Sequence, residues 1–125
     1  MMHLSTITPI LRMFDVEKTR AFYVGYLGFG VDWEHRFEST LPLYMQVSRS
    51  DCRLHLSEHH GDCCPGSAVR IACGDVGALL AELRGKTYDM LRPCIETPPW
   101  GGKELTLIDP ASNRLVFVET AAKAS

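Results

Sequence analysis

The fold is indicated most directly by residues 98–119, which read PPWGGKELTLIDPASNRLVFVE. Two apolar runs at 105–108 and 115–118 flank a segment rich in turn-forming residues, and this pattern is typical of a β-hairpin. The proline of the segment fixes φ and Asn113 tolerates left-handed geometry, so the turn has a physical basis. Trp100 precedes the hairpin beside two glycines, where its ring could either seal a core or face a ligand.

An aspartate that follows a β-favouring run occurs twice upstream of this hairpin, at Asp15 and Asp75. Each aspartate is suited to cap a helix, because its carboxylate accepts hydrogen bonds from the first free backbone N–H groups. Gly28 and Gly85 are suited to end the two helices. The aspartates are 60 residues apart, which suggests a duplicated module rather than a longer array of repeats.

Each module is predicted to contain a strand, a helix and three further strands. In the first module, alternating or apolar stretches predict strands at 6–13, 29–37, 41–47 and 52–57. In the second module, strands are predicted at 67–73, around 88–91 and in the hairpin. We therefore predict an α+β fold in which two βαβββ modules form curved mixed sheets around a cleft. The expected organisation is one domain over residues 1–125, with modules at about 5–57 and 67–119, a loop at 58–66 and a tail at 120–125.

Composition excludes several functional classes. The chain has 125 residues, enough to bury a core without disulfide or metal support. A net charge of −2 gives no basic excess of the kind expected for a nucleic-acid partner. No apolar run approaches the roughly 20 residues that cross a bilayer, and no signal-peptide pattern is present, so we expect a cytoplasmic protein without a membrane partner. Five cysteines in this setting favour free thiols over a disulfide framework.

Several short motifs carry a resemblance to a known family. Phe22-Tyr23 and Tyr26-Leu27-Gly28-Phe29 follow the first capping aspartate, and the closing part contains Pro99-Trp100-Gly101, Asp109-Pro110, Asn113-Arg114-Leu115 and Phe117. Together they resemble the vicinal oxygen chelate superfamily of glyoxalase I, extradiol dioxygenases and bleomycin resistance proteins. The closing part looks most like bleomycin resistance proteins. The resemblance extends over about residues 6–119 and implies the glyoxalase/bleomycin resistance fold.

The resemblance also implies a homodimer, because members of this family build two clefts from the modules of two subunits. Pro9 corresponds to a proline that lets the first strand cross to the partner subunit. A proline is equally expected where an edge strand begins, so both interpretations of Pro9 are open.

Metal-dependent members of the family place His and Glu ligands on facing strands. The resemblance brings Thr8, His55, Val69 and Val116 to or near these positions. One imidazole does not hold a catalytic ion that needs three protein ligands, so we expect neither this metal site nor another cofactor. A separate metal site in the loop is an alternative, although its ligand spacing is not a standard one: His59, His60, Cys63 and Cys64.

A metal-free cleft lined by aromatic side chains and a few polar groups is by default a ligand pocket. The aromatic candidates are Trp33, Phe37, Tyr44 and Trp100. Taken singly, Trp33 and Phe37 are better explained by ordinary sheet packing, whereas the loop position of Trp100 favours a ligand contact.

The polar candidates lie on the last strand of the first module, in the loop that follows it and at the start of the closing hairpin. His55 alternates with leucines and either lines the cleft or is a satisfied histidine on a sheet face. Acidic groups could attract a cationic ligand and raise its association rate. The further candidates are Glu58, His60, Asp62 and Glu104.

Two classes of function compete on these grounds. The preferred hypothesis is a metal-free binding protein that sequesters an aromatic, cationic antibiotic of the bleomycin type without modifying it. The alternatives are a glyoxalase- or dioxygenase-like enzyme and a binder of an unrelated small metabolite. No sequence signature links a nucleophile to a base in a Cys-His or Ser-His arrangement, and a sequence does not show which side chains lie close together in space.

Overall fold

The computed structural model describes residues 2–36, 38–86 and 93–120, which form two four-stranded sheets. The first sheet contains β1 (Ile10–Arg12), β2 (Gly30–His35), β3 (Tyr44–Arg49) and β4 (Cys52–Ser57), in the order β1-β4-β3-β2. The second contains β5 (Ala68–Ala72), β6 (Ile95–Glu96), β7 (Lys103–Ile108) and β8 (Arg114–Glu119), in the order β5-β8-β7-β6. In each sheet the first strand pairs in parallel with the fourth and the other pairs are antiparallel. The two βαβββ modules with mixed sheets are therefore confirmed.

The helices begin where the capping aspartates predict. Asp15 accepts a hydrogen bond from Lys18 N at 3.0 Å at the start of α1 (Val16–Arg20), and Asp75 caps α2 (Val76–Arg84) in the same way. After α1 the chain continues as a π-helical turn (Ala21–Tyr26), which periodicity did not indicate. Among the described residues, no helix has the length and apolar character needed to span a bilayer.

Three of the predicted strand positions need correction. The first strand is limited to β1, and residues 2–9 precede it without regular structure. The strand expected at 41–47 begins later, at Tyr44. The third strand of the second sheet is the short β6, in a stretch expected to be a connection. The strand expected around 88–91 and the site candidate Phe37 lie outside the described residues.

One cluster of buried apolar side chains spans both modules. Alternate residues of the inner strands belong to it, as the pattern on β3 predicts, and this holds for β4, β7 and β8. These buried side chains are Met45, Val47, Leu54, Leu56, Leu105, Leu107, Leu115 and Phe117. On β8 the intervening Val116 is buried as well. The intervening side chains point to the outer face of each sheet, the side turned away from this core.

The hairpin turn at 109–113 joins the two modules through buried hydrogen bonds. Asp109 Oδ1 accepts from the backbone N–H of Ala111 and Asn113, and Tyr23 donates its hydroxyl to Asp109 Oδ2 at 2.5 Å. Asn113 is fully buried and donates to the Arg12 carbonyl oxygen at 2.8 Å. The left-handed residue of the turn is Ser112 (φ 68°) rather than Asn113.

Candidate ligand-binding site

The outer face of the first sheet gathers aromatic and polar side chains because β2 contains a bulge. Val31 lies opposite Val47, but Trp33 lies opposite Gln46, so Asp32 is an extra residue in β2. The bulge breaks the strict alternation expected along β2 and turns Trp33 to the side away from Val31. Trp33 therefore faces outward together with side chains of β3 and β4.

Three rings pack together on this face. Trp33 stacks on Tyr44 with ring centroids 5.9 Å apart and an interplanar angle of 10°. His55 meets both rings edge-on, with centroid distances of 5.2 Å. Trp33 is nevertheless 42% exposed, so a planar ligand can reach its ring. Trp33 thus both packs on the sheet and remains accessible to a ligand. We call Trp33, Tyr44 and His55 the aromatic cluster.

A continuous chain of hydrogen bonds runs through the cluster. The Tyr44 hydroxyl lies 2.6 Å from His55 Nδ1, and His55 Nε2 lies 3.0 Å from Gln46 Oε1. Gln46 Nε2 donates to Asp32 Oδ2 at 2.8 Å, and the Ser48 hydroxyl donates to Asp32 Oδ1 at 2.9 Å. Gln46, Asp32 and Ser48 were not predicted as site residues. The only available signal was the position of Gln46 and Ser48 two and four residues after Tyr44, on the same face of a strand.

The environment of these groups defines their protonation. Hydrogen bonds from Gln46 and Ser48 hold the pKa of Asp32 below its usual value. Partial burial lowers the pKa of His55, which favours a neutral imidazole at neutral pH. Burial, followed by the nearby Asp62 and Cys63, raises the pKa of Tyr44, so the phenol keeps its proton.

The loop at 58–66 brings one predicted acid to the cluster and uses another structurally. Asp62 accepts a hydrogen bond from the Ser57 hydroxyl at 2.6 Å, and Ser57 lies opposite Tyr44 on the outer face. Glu58 instead accepts from the backbone N–H of Leu43 at 2.7 Å, which orders the approach to β3. His60 is exposed at the turn of the loop.

The other two predicted residues lie in the second module. Trp100 occupies the turn before β7 and is 70% exposed, beside two glycines with positive φ. Glu104 lies on the outer face of the second sheet, where its carboxylate pairs with Arg70 at 2.9 Å. The structure thus brings Trp33, Tyr44 and His55 together on the first sheet, with Asp62 in the loop that follows it, and places Trp100 and Glu104 in the second module.

The residues at the positions equivalent to the family's metal site do not fit a metal ion. Of the four residues expected at or near these positions, Thr8, His55, Val69 and Val116, the two valines cannot coordinate a metal and Thr8 is a poor ligand. Only His55 has a suitable ligand group, and both of its ring nitrogens already have hydrogen-bond partners. Within residues 2–36, 38–86 and 93–120, no three His, Cys, Asp or Glu side chains are grouped to hold an ion.

A groove lies apart from the aromatic cluster and does not include its three side chains. This groove of about 730 Å³ lies between the modules and is lined by residues of the N-terminal segment, the β3–β4 turn, β5 and α2. Arg49 crosses it to form a two-bonded ion pair with Glu82 at 2.7–2.8 Å. The groove therefore contains a contact that joins the modules, and it lacks the accessible rings of the outer face.

Comparison with known proteins identifies the family. A protein-family model described as "Glyoxalase superfamily protein" matches residues 1–123, so the chain belongs to the glyoxalase superfamily. The chain is 30% identical to a bleomycin-binding protein from bleomycin-producing Streptomyces verticillus, solved in complex with copper(II)-bleomycin. That comparison covers 98% of this chain and 100% of the other, with a TM-score of 0.70.

Two further solved structures share the fold. A bleomycin resistance determinant encoded on transposon Tn5 is 22% identical, with 95% of this chain and 100% of that chain covered and a TM-score of 0.72. TnmS3, an antibiotic-binding protein from Streptomyces sp. CB03234, is 22% identical, with coverages of 97% and 100% and a TM-score of 0.73. No curated protein matches the sequence. The family and the fold expected from the sequence motifs are confirmed.

Proposed function

We propose that this protein binds and sequesters a planar, cationic antibiotic of the bleomycin type without modifying it. The observation that carries the proposal is the aromatic cluster, in which an accessible Trp33 ring is backed by Tyr44 and His55. The likeness to the Streptomyces verticillus protein, which was solved with copper(II)-bleomycin, supports the same ligand class.

The physical basis of binding is stacking assisted by charge. A heteroaromatic ring placed on Trp33 gains about 0.5–1.5 kcal/mol beyond the free energy of area burial. Asp62, held beside the cluster by Ser57, provides a negative charge for a cationic part of the ligand. Such a charge mainly accelerates association and makes it dependent on salt.

We further propose that two copies of the chain complete the site. Trp100 and Glu104 lie in the module that does not carry the aromatic cluster, so in a dimer the partner's Trp100 would supply the second wall. The N-terminal segment carries three apolar side chains that are more than 80% exposed: Met2, Leu4 and Ile7. Exchange of this segment at Pro9 would cover them. Sedimentation equilibrium of a chain lacking residues 1–8 should then show weaker association than the full chain.

The ligand proposal is tested by titrating the protein with metal-free bleomycin in the presence of a chelator. The chain has two tryptophans, so Trp33→Phe and Trp100→Phe each leave one indole whose fluorescence reports on one wall. Calorimetry of the same variants measures their affinities. We expect saturable binding, and a loss of at least about tenfold in affinity for Trp33→Ala and for Trp100→Ala. Phe14→Ala, which truncates a half-exposed ring that is not part of the aromatic cluster, is the control and should bind like the wild type.

Two results would contradict the proposal. One is the absence of both heat and fluorescence change at high protein concentration. The other is stoichiometric metal in the purified protein by elemental analysis, which would favour an enzyme.

A further inference from the structure

We infer that Gln46, held in one orientation by Asp32, sets the tautomer of His55 and thereby makes the Tyr44 oxygen a hydrogen-bond acceptor toward the ligand. The inference rests on the proposed function, since it names the ligand chemistry that the same face takes. That chemistry is a group with N–H donors, such as an ammonium or another protonated amine.

The first step is the orientation of the Gln46 amide. An ionised carboxylate can only accept hydrogen bonds, so the Gln46 atom 2.8 Å from Asp32 must be the NH₂ group. The Ser48 hydroxyl donates to the other carboxylate oxygen, and the two donors together stabilise the charged form. The Gln46 carbonyl oxygen is therefore directed at His55.

The second step is the tautomer of His55. The Gln46 carbonyl oxygen accepts only, so His55 Nε2, 3.0 Å away, must carry a proton. In a neutral imidazole this leaves Nδ1 as an acceptor, and burial keeps the pKa of His55 low enough to favour that form. The Tyr44 hydroxyl at 2.6 Å therefore donates its proton to Nδ1.

The third step concerns what Tyr44 can offer to a ligand. Its single proton is committed to His55, so the phenol oxygen presents only lone pairs. Asp62 is held by the Ser57 hydroxyl, and Ser57 pairs with Tyr44 across β4 and β3. The Asp62 carboxylate therefore lies beside the strands that carry Tyr44, and it also only accepts. A ligand group placed between these oxygens must be a donor, and a carboxylate there would be repelled.

The test reads the tautomer directly, without a ligand. Long-range ¹H–¹⁵N correlation spectra of the uniformly labelled protein at neutral pH distinguish protonated from bare imidazole nitrogens, and His55→Gln assigns the signals. We expect His55 with a proton on Nε2 and a bare Nδ1 in the wild type. Asp32→Asn should give a mixture of tautomers, because the replacement can donate as well as accept and no longer orients Gln46.

A matched control separates orientation from charge. Glu34→Gln removes the same charge from β2, but Glu34 pairs with Arg20 of the helical layer. This variant should keep the wild-type spectrum. A proton on Nδ1 in the wild type, or Asp32→Asn spectra that match those of Glu34→Gln, would overturn the inference.

The ligand chemistry is tested with a pair of small probes rather than with bleomycin. A failure of this inference can then be distinguished from a failure of the proposed bleomycin binding. Tryptamine and indole-3-propionate share an indole ring and differ in carrying an ammonium or a carboxylate. Tryptamine should shift the His55 signals saturably and bind at least about tenfold more tightly than indole-3-propionate. Equal or tighter binding of the carboxylate, or no binding of tryptamine at millimolar concentration, would overturn the acceptor assignment.

Discussion

The buried hydroxyl of Tyr23 is one of the groups that connect the two modules. It donates to Asp109 at 2.5 Å, and this carboxylate in turn holds two backbone N–H groups of the hairpin turn. Burial, and then the charge of Asp109, raise the pKa of Tyr23, so the phenol remains protonated and serves as a donor. The Asp-Pro-x-x-Asn motif that identifies the family thus has a structural role, distant from the aromatic cluster.

Tyr23→Phe is expected to destabilise the protein by about 1.5–3 kcal/mol, because the buried Asp109 carboxylate, a charged acceptor, loses the hydroxyl that donates to it while the ring packing remains. Urea denaturation measures the change in the free energy of unfolding. Tyr44→Phe is the control: its hydroxyl is only half-buried, and it should cost less than about 1 kcal/mol. A loss below about 0.5 kcal/mol for Tyr23→Phe would show that the contact does not stabilise the folded state.

The residues of the candidate site differ in how far sequence could predict them. Trp33, Tyr44 and His55 were predicted because aromatic and imidazole side chains on alternating strands stand out. Gln46 and Asp32 have no such signature, since a neutral amide and a surface acid occur on most strands. Only the cross-strand pairing, shifted by the bulge, shows that they form one hydrogen-bonded chain with His55.

At the level of elements, the helical segment of the first module ends in a conformation that requires glycine. Gly28 has φ of +75°, and a Cβ there would lie 3.3 Å from Arg49 Nη1. Leu27 N bonds to Phe22 O, five residues earlier, so the π-helical turn sets the direction in which Gly28 leads the chain into β2. Glycine here allows the helix to end directly before the strand.

Gly28→Ala is expected to cost about 1–2 kcal/mol, because an L-residue is strained at positive φ and Arg49 would have to move. Gly25→Ala is the matched control within the same helical segment, where an added Cβ meets no atom within 4 Å. It should be neutral or stabilise the protein by up to about 1 kcal/mol. Thermal and urea unfolding of both variants measure the difference, and equal effects would contradict the strain at Gly28.

Local signals predicted the elements well where local chemistry determines them. Both aspartate caps, the ends of the two helices and the closing hairpin follow from short motifs whose hydrogen bonds are made within a few residues. The bulge in β2 and the π-helical turn could not be predicted in this way. Both depend on which strand or core surface the segment packs against, so the hydrophobic periodicity of the sequence does not indicate them.

In the whole molecule, polar contacts fix one module against the other. Arg49 of β3 binds Glu82 of α2 through two hydrogen bonds and also donates to the Leu27 carbonyl oxygen. Lys86, just after α2, donates to the carbonyl oxygen of Tyr26 at 2.8 Å. These contacts fix how the two modules of one chain lie against each other.

The Arg49–Glu82 pair gives this arrangement a defined pH dependence. Hydrogen bonds from Arg49 are the main reason that the pKa of Glu82 is lowered from its ordinary value of 4.5. A carboxylate with a lowered pKa adds stability above its unfolded-state pKa, and this stability is lost as pH falls through the folded-state value. Both side chains are more than a third exposed, at 38% and 34%, so solvent screening limits the contribution to about 0.5–1 kcal/mol at neutral pH.

Glu82→Gln should therefore lower the free energy of unfolding at pH 7, and the difference from the wild type should shrink as pH falls below 4.5. Urea denaturation between pH 3 and pH 7 measures this profile. A double-mutant cycle with Arg49→Gln isolates the interaction free energy between Arg49 and Glu82. The Leu27 contact cancels in the cycle because it is lost in both variants that lack Arg49. A wild-type advantage that persists unchanged into the acid range would show that Glu82 acts through packing rather than charge.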